Sequence, residues 1–199
     1  HRNKQVRAAE LLLQERMPAR PSLVRNPALR QIYKPAAQVE RIVGMREFAR
    51  PETAVPEVCV LSNGTYSVVV STTGSGFSRF GRLNITRWRE DPVSDPWGSA
   101  IYVHDLSSGR LWSPTYHPCR VAADEQRIRF AFDKATFTRT DGEVQTCLEI
   151  GVAPDFNAEI RRLTLTNTGE EARVLEVTTF AELALADPQT DNAHPAFSK

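Results

Sequence analysis

Apolar and polar residues alternate along most of the chain from residue 57 onward. The clearest run is 144–152, where Val144, Thr146, Leu148 and Ile150 alternate with a second set of side chains. A period of two places such residues on one face of a β-strand. Similar runs, rich in β-branched residues, predict further strands at 58–61, 66–71, 83–88, 100–104, 127–132, 135–139, 158–166 and 173–186.

Short segments rich in Asn, Asp, Gly and Ser separate these runs. Asp141-Gly142 is typical of a two-residue hairpin turn, and the last predicted strand, 173–186, is expected to complete a hairpin with 158–166. Strands spaced by about ten residues with turns between them predict an all-β fold, a large antiparallel β-sandwich. The other turn signals are at 62–64, 73–76, 107–109 and 167–169.

The first quarter of the chain has a different pattern. Residues 1–17 consist of good helix formers with Leu11 and Leu12 on one face, and Met17-Pro18 ends the predicted helix. Residues 18–56 contain recurrent proline and predict an extended connector, in which 36–48 could form a short helix or a strand. The β-sandwich domain is therefore assigned to 57–199, and we expect it to be truncated at its C-terminus.

Composition narrows the classes of function. A net charge of +1 gives no strong field for nucleic acid or an anionic membrane, and no apolar run is long enough to span a bilayer. Cys59, Cys119 and Cys147 are too far apart for a zinc site, and their odd number favours a reducing compartment, although a disulfide between two of them stays open. The four histidines have no metal-ligand spacing. A chain that begins with His1 is expected to be a piece of a longer protein.

The glycine-rich segment 73–76 has two interpretations. Its glycines could approach a phosphate closely, but no Walker lysine and no helix pattern follow it. We therefore favour a hairpin turn between two strands.

An Arg-Trp-acidic segment, 87–97, is the first candidate for ligand chemistry. Indole faces pack against the C–H face of a sugar ring, while guanidinium and carboxylate groups meet its hydroxyls. The alternative is an ion-paired loop beside a core tryptophan. A second aromatic cluster, Trp112 with Tyr116 and His117, follows; there the indole is typical of a core and the histidine of a surface. The candidate substrate-binding residues are Arg79, Arg87, Arg89, Asp91, Asp95, Trp97, Trp112 and Tyr116.

Catalytic groups are not evident in the sequence. The acidic pair Glu90-Asp91 would point to opposite faces of a strand, and Glu170-Glu171 lies in a predicted turn. No serine or cysteine lies in a nucleophile motif. We therefore assign no catalytic residue, no metal and no cofactor to this chain.

Four runs resemble a known family. They are LSNGTYSVVVSTTGSGFSRF at 61–80, ITRWREDPVSDPWGSAIYVHDLSSGRLWSPTYHP at 85–118, LEIGVAPDFNAEIRRLTLTNTGEEARVLEVTTFAELAL at 148–185 and DNAHPAFSK at 191–199. They are similar to the N-terminal β-domain of glycoside hydrolase family 94, formerly glycosyltransferase family 36. Within that family the resemblance, over 6–199, is greatest to the phosphorylase-like module of bacterial cyclic β-1,2-glucan synthases.

The resemblance implies a supersandwich fold of the galactose mutarotase-like type. It also implies a parent enzyme that cleaves β-glucosidic bonds with inversion, using inorganic phosphate as co-substrate. The family's catalytic aspartate lies in an (α/α)6 barrel, which would begin beyond Lys199, so this chain is expected to be inactive alone. The implied partners are a β-linked glucan, that barrel and possible homodimerisation, with no nucleic acid and no membrane contact by this segment. The implied location is the cytoplasmic face of the bacterial inner membrane, within a larger membrane protein.

The sequence leaves two alternative functions, and a third has less support. In the first, loops at 74–79, 87–97 and 112–117 help to bind glucan; in the second, the domain is purely structural or serves dimerisation. Solvent-open Arg89 and Trp97 would favour the first, and their burial inside the sandwich the second. A free-standing mutarotase-like epimerase would need a histidine and a carboxylate in one cleft, which the spacing of His104 and His117 does not support.

Overall fold

The computed structural model of the protein describes residues 44–91 and 95–193. The helix predicted for 1–17 and the connector as far as residue 43 lie outside these residues. Among the described residues, no helix combines the length and the hydropathy that a bilayer crossing requires.

The described residues form three antiparallel sheets and one short helix. Sheet A has the spatial order β1-β8-β9-β10-β11, sheet B the order β13-β5-β4-β3-β2, and sheet C the order β12-β6-β7. The elements are β1 (Arg46–Phe48), β2 (Val58–Ser62), β3 (Tyr66–Ser71), β4 (Gly76–Phe80), β5 (Leu83–Thr86), β6 (Ser99–Asp105), β7 (Arg110–Trp112), β8 (Glu125–Phe130), β9 (Lys134–Asp141), β10 (Val144–Val152), β11 (Glu159–Asn167), β12 (Leu175–Ala181), β13 (Leu183–Ala186) and α1 (Pro188–Ala193). The predicted all-β sandwich is confirmed, and 46–48 within the segment left open is a strand.

The main core lies between sheets A and B. The alternation in β9 and β10 turns Phe137, Leu148 and Ile150 inward, where they pack with Val68 and Val70 of β3. Each such fully buried side chain contributes roughly 1.5–3 kcal/mol through the hydrophobic effect.

A second, smaller core lies between sheets A and C. Its buried members are Val103, Trp112 and Val144, with Leu175 of β12 packed against them. The Trp112 indole N–H donates a hydrogen bond of 3.2 Å to Thr146 Oγ1. Trp112 is therefore a structural residue of the interior, 1% exposed.

The prediction that 173–186 forms one strand of a hairpin with 158–166 is wrong. Strand β12 pairs with β6 in the opposite layer, in the register Leu175 to Asp105, and the chain breaks at Glu182 before β13 pairs with β5. Hydrogen bonds hold the chain on either side of β12. Before the strand, Arg173 Nη1 donates to Asp105 Oδ2 at 2.8 Å; after it, the Arg87 amide donates to the Glu182 carbonyl at 2.8 Å. The chain thus links sheets B and C into one layer.

The carboxylate of Asp105 is held by its local turn. The Ser108 hydroxyl, the Ser107 amide and the Arg173 guanidinium all donate to it, and these hydrogen bonds lower its pKa to about 2. Because this pKa lies below the unfolded value of about 3.9, the stabilisation is complete above that value and is lost as pH falls through about 2.

Replacement of Asp105 by asparagine should remove one component of the acid sensitivity of the fold. The free energy of unfolding of the wild-type chain should fall between about pH 4 and about pH 2, and the Asp105→Asn variant should show a shallower fall. Urea unfolding at a series of pH values measures both slopes. Parallel pH profiles for the two proteins would contradict the assignment.

Candidate functional site

Three loops meet next to the β3–β4 turn. The Gly76 amide donates to the Trp97 carbonyl at 2.9 Å, and the His117 amide donates to the Thr73 carbonyl at 2.8 Å. These bonds join the turn 72–76, the β5–β6 loop 87–98 and the β7–β8 loop 113–118. We call the described residues of these three segments the loop cluster.

The glycines of the turn have a packing role. Gly74 has φ of 93°, and a Cβ there would lie 2.2 Å from Thr115 Cβ; a Cβ on Gly76 would lie 1.8 Å from the Val69 carbonyl oxygen. The Gly74 amide donates to the Ser71 carbonyl at 2.9 Å, so the segment is the hairpin turn that the sequence favours over a phosphate loop. Glycine at 74 lets the turn lie against the β7–β8 loop, and glycine at 76 lets β4 lie against β3.

Arg89 and Trp97 form the centre of the loop cluster. The Arg89 guanidinium carbon lies 5.9 Å from the Trp97 ring centroid, within the range of a cation–π contact. Both side chains are half-buried and belong to neither core. Within the described part of the chain, Arg89 Nε and Trp97 Nε1 are buried without a hydrogen-bond partner. Because both atoms carry N–H groups, the cluster presents two donors that an acceptor on a ligand could satisfy.

Asp95 and His117 supply the titratable groups. Burial raises the pKa of the Asp95 carboxyl above its ordinary value, and nearby His117 opposes that rise. Burial lowers the pKa of the His117 imidazole, and the positive charge of Arg120 lowers it further. Both effects favour the neutral imidazole ring. His117 Nδ1 is a further buried atom without a partner, and the Tyr116 ring meets the imidazole edge-on with the centroids 5.5 Å apart.

The sequence places His117 in the predicted loop 112–117 but favours a surface or hydrogen-bonded histidine over a base, so His117 is not among the candidate binding residues. Its electrostatic interaction with Asp95 depends on contact between two loops, and the available signal is only the aromatic cluster around it. Ser75 and Trp88 lie in the predicted loops 74–79 and 87–97 but are not among the candidate substrate-binding residues. The Ser75 hydroxyl donates to the Asp95 carbonyl, and a hydrogen bond from Trp88 lowers the pKa of the Asp95 carboxyl.

The other candidate residues are placed as follows. Asp91 is half-buried and close enough to Asp95 for their like charges to interact. Arg79 lies on β4, 5.3 Å from the centroid of the Phe77 ring. Arg87 is buried against helix α1, where its Nε donates to the Asp191 carboxylate at 3.0 Å. The structure therefore brings together Arg89, Asp91, Asp95, Trp97 and Tyr116. It engages Arg79 with Phe77 on β4, Arg87 with α1 and Trp112 in the smaller core. Sugar contact by any of these residues stays a prediction.

The loop cluster is equipped for binding polar groups. It offers N–H donors beside an indole face, a carboxylate acceptor and an imidazole that can donate or accept a hydrogen bond. Across residues 44–91 and 95–193, no group of three His, Cys, Asp or Glu side chains is arranged to hold a metal ion.

The three sheets and the loops at one end of them define a large antiparallel β-sandwich domain of the supersandwich class. The family model for the glycosyl hydrolase 94 supersandwich domain matches residues 41–199, and the chain belongs to this family.

The chain is similar to parts of several longer curated proteins. The chain is 39% identical over its whole length to the cyclic beta-(1,2)-glucan synthase NdvB of Rhizobium meliloti (strain 1021), and it covers 7% of that protein. It is 24% identical, over 75% of its length, to the N,N'-diacetylchitobiose phosphorylase of Vibrio proteolyticus, of which it covers 19%. It is 28% identical, over 65% of its length, to the 3-O-beta-D-glucopyranosyl-beta-D-glucuronide phosphorylase of Paenibacillus borealis, of which it covers 16%. The chain thus spans a small fraction of each relative.

Proposed function

We propose that this chain is a non-catalytic domain of a β-glucan-processing enzyme and that its loop cluster helps to form the glucan-binding site. A catalytic (α/α)6 barrel of the same polypeptide would supply the reaction, with inorganic phosphate as co-substrate, and the whole protein would work at the cytoplasmic face of a bacterial inner membrane. Family membership supports this proposal. The names of two relatives also support it, since each name refers to a β-linked glucosyl compound.

The observation that carries the proposal is the Arg89–Trp97 pair with its two unsatisfied donors. Buried polar groups without partners cost free energy, so they are normally satisfied by protein, water or ligand. A glucosyl ring with one C–H face on the Trp97 indole could place hydroxyl oxygens where Arg89 Nε–H and Trp97 Nε1–H donate to them. The Asp95 carboxylate could then accept from a hydroxyl of the same sugar.

The alternative is a purely structural or dimerisation domain. In that case the same two donors would be satisfied by another protein surface, and no sugar would contact them. The two functions differ in what the folded chain does in the presence of glucan, so binding measurements separate them.

Linear β-1,2-gluco-oligosaccharides should change the tryptophan fluorescence of the 199-residue chain in a saturable manner. Trp97→Ala and Arg89→Ala should each weaken binding about tenfold or more, since each removes a ring face or a donor worth about 1.4 kcal/mol. Arg82→Ala, which alters an exposed arginine in the β4–β5 turn, is the matched control and should bind normally.

Two results would count against glucan binding. One is unchanged affinity in Trp97→Ala and Arg89→Ala; the other is a folded chain that does not respond to any β-1,2-glucan. A concentration-dependent dimer in analytical ultracentrifugation that Arg89→Ala disrupts would then support the interface role.

A further inference from the structure

A polar pocket of about 330 Å³ lies on sheet A, over β8, β9 and β10. It is separate from the loop cluster, and none of the residues so far assigned to sugar binding lines it. Its lining includes Glu125, Arg127, Arg129, Thr138, Thr140 and Gln145.

The strand register explains how these side chains come together. Arg127 of β8 lies opposite Thr138 of β9, and Thr140 of β9 lies opposite both Glu125 of β8 and Gln145 of β10. Alternate residues of a strand share a face, so these side chains project from the outer surface of the sheet. Phe137 between Thr138 and Thr136 points inward to the main core, which fixes this orientation.

The chemistry of the pocket favours a neutral polyhydroxyl ligand. Threonine hydroxyls and glutamine amides both donate and accept, as sugar hydroxyls do. An anion is disfavoured because Arg127 and Arg129 already pair with Glu47, at 3.4 Å and 2.8 Å, and because Glu125 adds a negative charge. An apolar ligand would leave the polar groups of this lining unpaired.

We propose that this pocket is a second saccharide-binding site, which holds a separate stretch of the neutral glucan bound by the loop cluster. Only the choice of glucan rests on the proposed function; the hydroxyl-binding chemistry is that of the pocket itself. The β7–β8 loop connects the two sites: it carries Tyr116 and His117, then bonds through the Asp124 amide to the Thr140 carbonyl at 2.9 Å. A polymer held at two sites gains apparent affinity, because binding at the second site becomes intramolecular.

Two-dimensional ¹H–¹⁵N NMR of the 199-residue chain with linear β-1,2-gluco-oligosaccharides tests the proposal. Two sets of saturable shift changes are expected, one in the loop cluster and one at β8–β10. The pocket set should persist in Trp97→Ala, and its affinity should fall about fivefold in Thr138→Val and in Gln145→Ala, since each removes one hydrogen-bonding group. Thr136→Val, on the same strand and face but outside the pocket lining, is the matched control and should leave the pocket affinity unchanged.

The outcomes separate this site from the proposed function. Pocket shifts without loop-cluster shifts would retain the second site and contradict the proposed one, and the reverse pattern would overturn the second site. Equal losses in Thr138→Val and Thr136→Val would also overturn it. Inorganic phosphate is the probe for ligand class: saturable shifts at β8–β10 with phosphate would contradict a neutral saccharide.

Discussion

Replacement of Gly74 by alanine is expected to destabilise the protein by about 3 kcal/mol or more. The residue has φ of 93°, which side chains rarely adopt, and its Cβ would lie 2.2 Å from Thr115 Cβ, so the turn and the β7–β8 loop would have to separate. The backbone conformation and the steric overlap each contribute on the order of 1–3 kcal/mol. Chemical denaturation measures the loss, and binding of glucan should weaken with it because the loop cluster is displaced.

Gly64→Ala is the control for Gly74→Ala. Gly64 has almost the same backbone conformation, with φ of 97°, but nothing lies within 4 Å of its Cβ position. It should therefore cost only the conformational part, about 1–2 kcal/mol. Equal losses in the two variants would show that contact with Thr115 is not what requires glycine.

Replacement of Asp191 by alanine is expected to cost about 3 kcal/mol of folding free energy. Its side chain is fully buried, and it accepts from Arg87 Nε at 3.0 Å and pairs with Arg87 Nη2 at 2.8 Å. Removal of one partner leaves a buried charge with less compensation, which is the costly way to break such a pair. Glu182 also binds Arg87, so the loss should stay near the lower end of the range for buried pairs.

The same experiment on an exposed pair provides the comparison. Glu47→Ala removes the partner of Arg129 and Arg127 at the surface of sheet A, where solvent screens the charges, and should change thermal stability little. A small effect of Asp191→Ala, similar to that of Glu47→Ala, would mean that α1 is not anchored through Arg87. Both are measured by thermal and urea unfolding.

Alternation and turn residues predicted many of the strands, because both depend on residues that are close together in sequence. The alternation in β10 and the Asp141-Gly142 turn define a hairpin between neighbouring segments, and the structure has it in that register. The return of β12 to β6 could not be found this way, because the pairing depends on contacts with Asp105 far away in sequence. Strand β4 was missed because its first residues, Gly76 to Ser78, resemble a turn more than a strand.

The candidate site was predictable only in part for a related reason. Proximity in sequence grouped Arg87 with Arg89, but β5 ends at Thr86, and beyond that point alternation no longer determines where a side chain points. Arg87 turns to Asp191, 104 positions away, whereas Arg89 stacks on Trp97. His117 comes near Asp95 only because two loops meet, and no spacing along the chain encodes that contact.

The sheet orders also determine when each part of the domain can assemble. In sheet A, β8 to β11 are neighbours in sequence as well as in space, so each pairing closes a short loop and can form early. Sheet C is complete only when β12 pairs with β6, whose residues lie 70 to 82 positions earlier in the sequence. Trp112 is covered by Leu175 at that moment. During synthesis, therefore, the larger core can form before β12 covers the Trp112 indole of the smaller core.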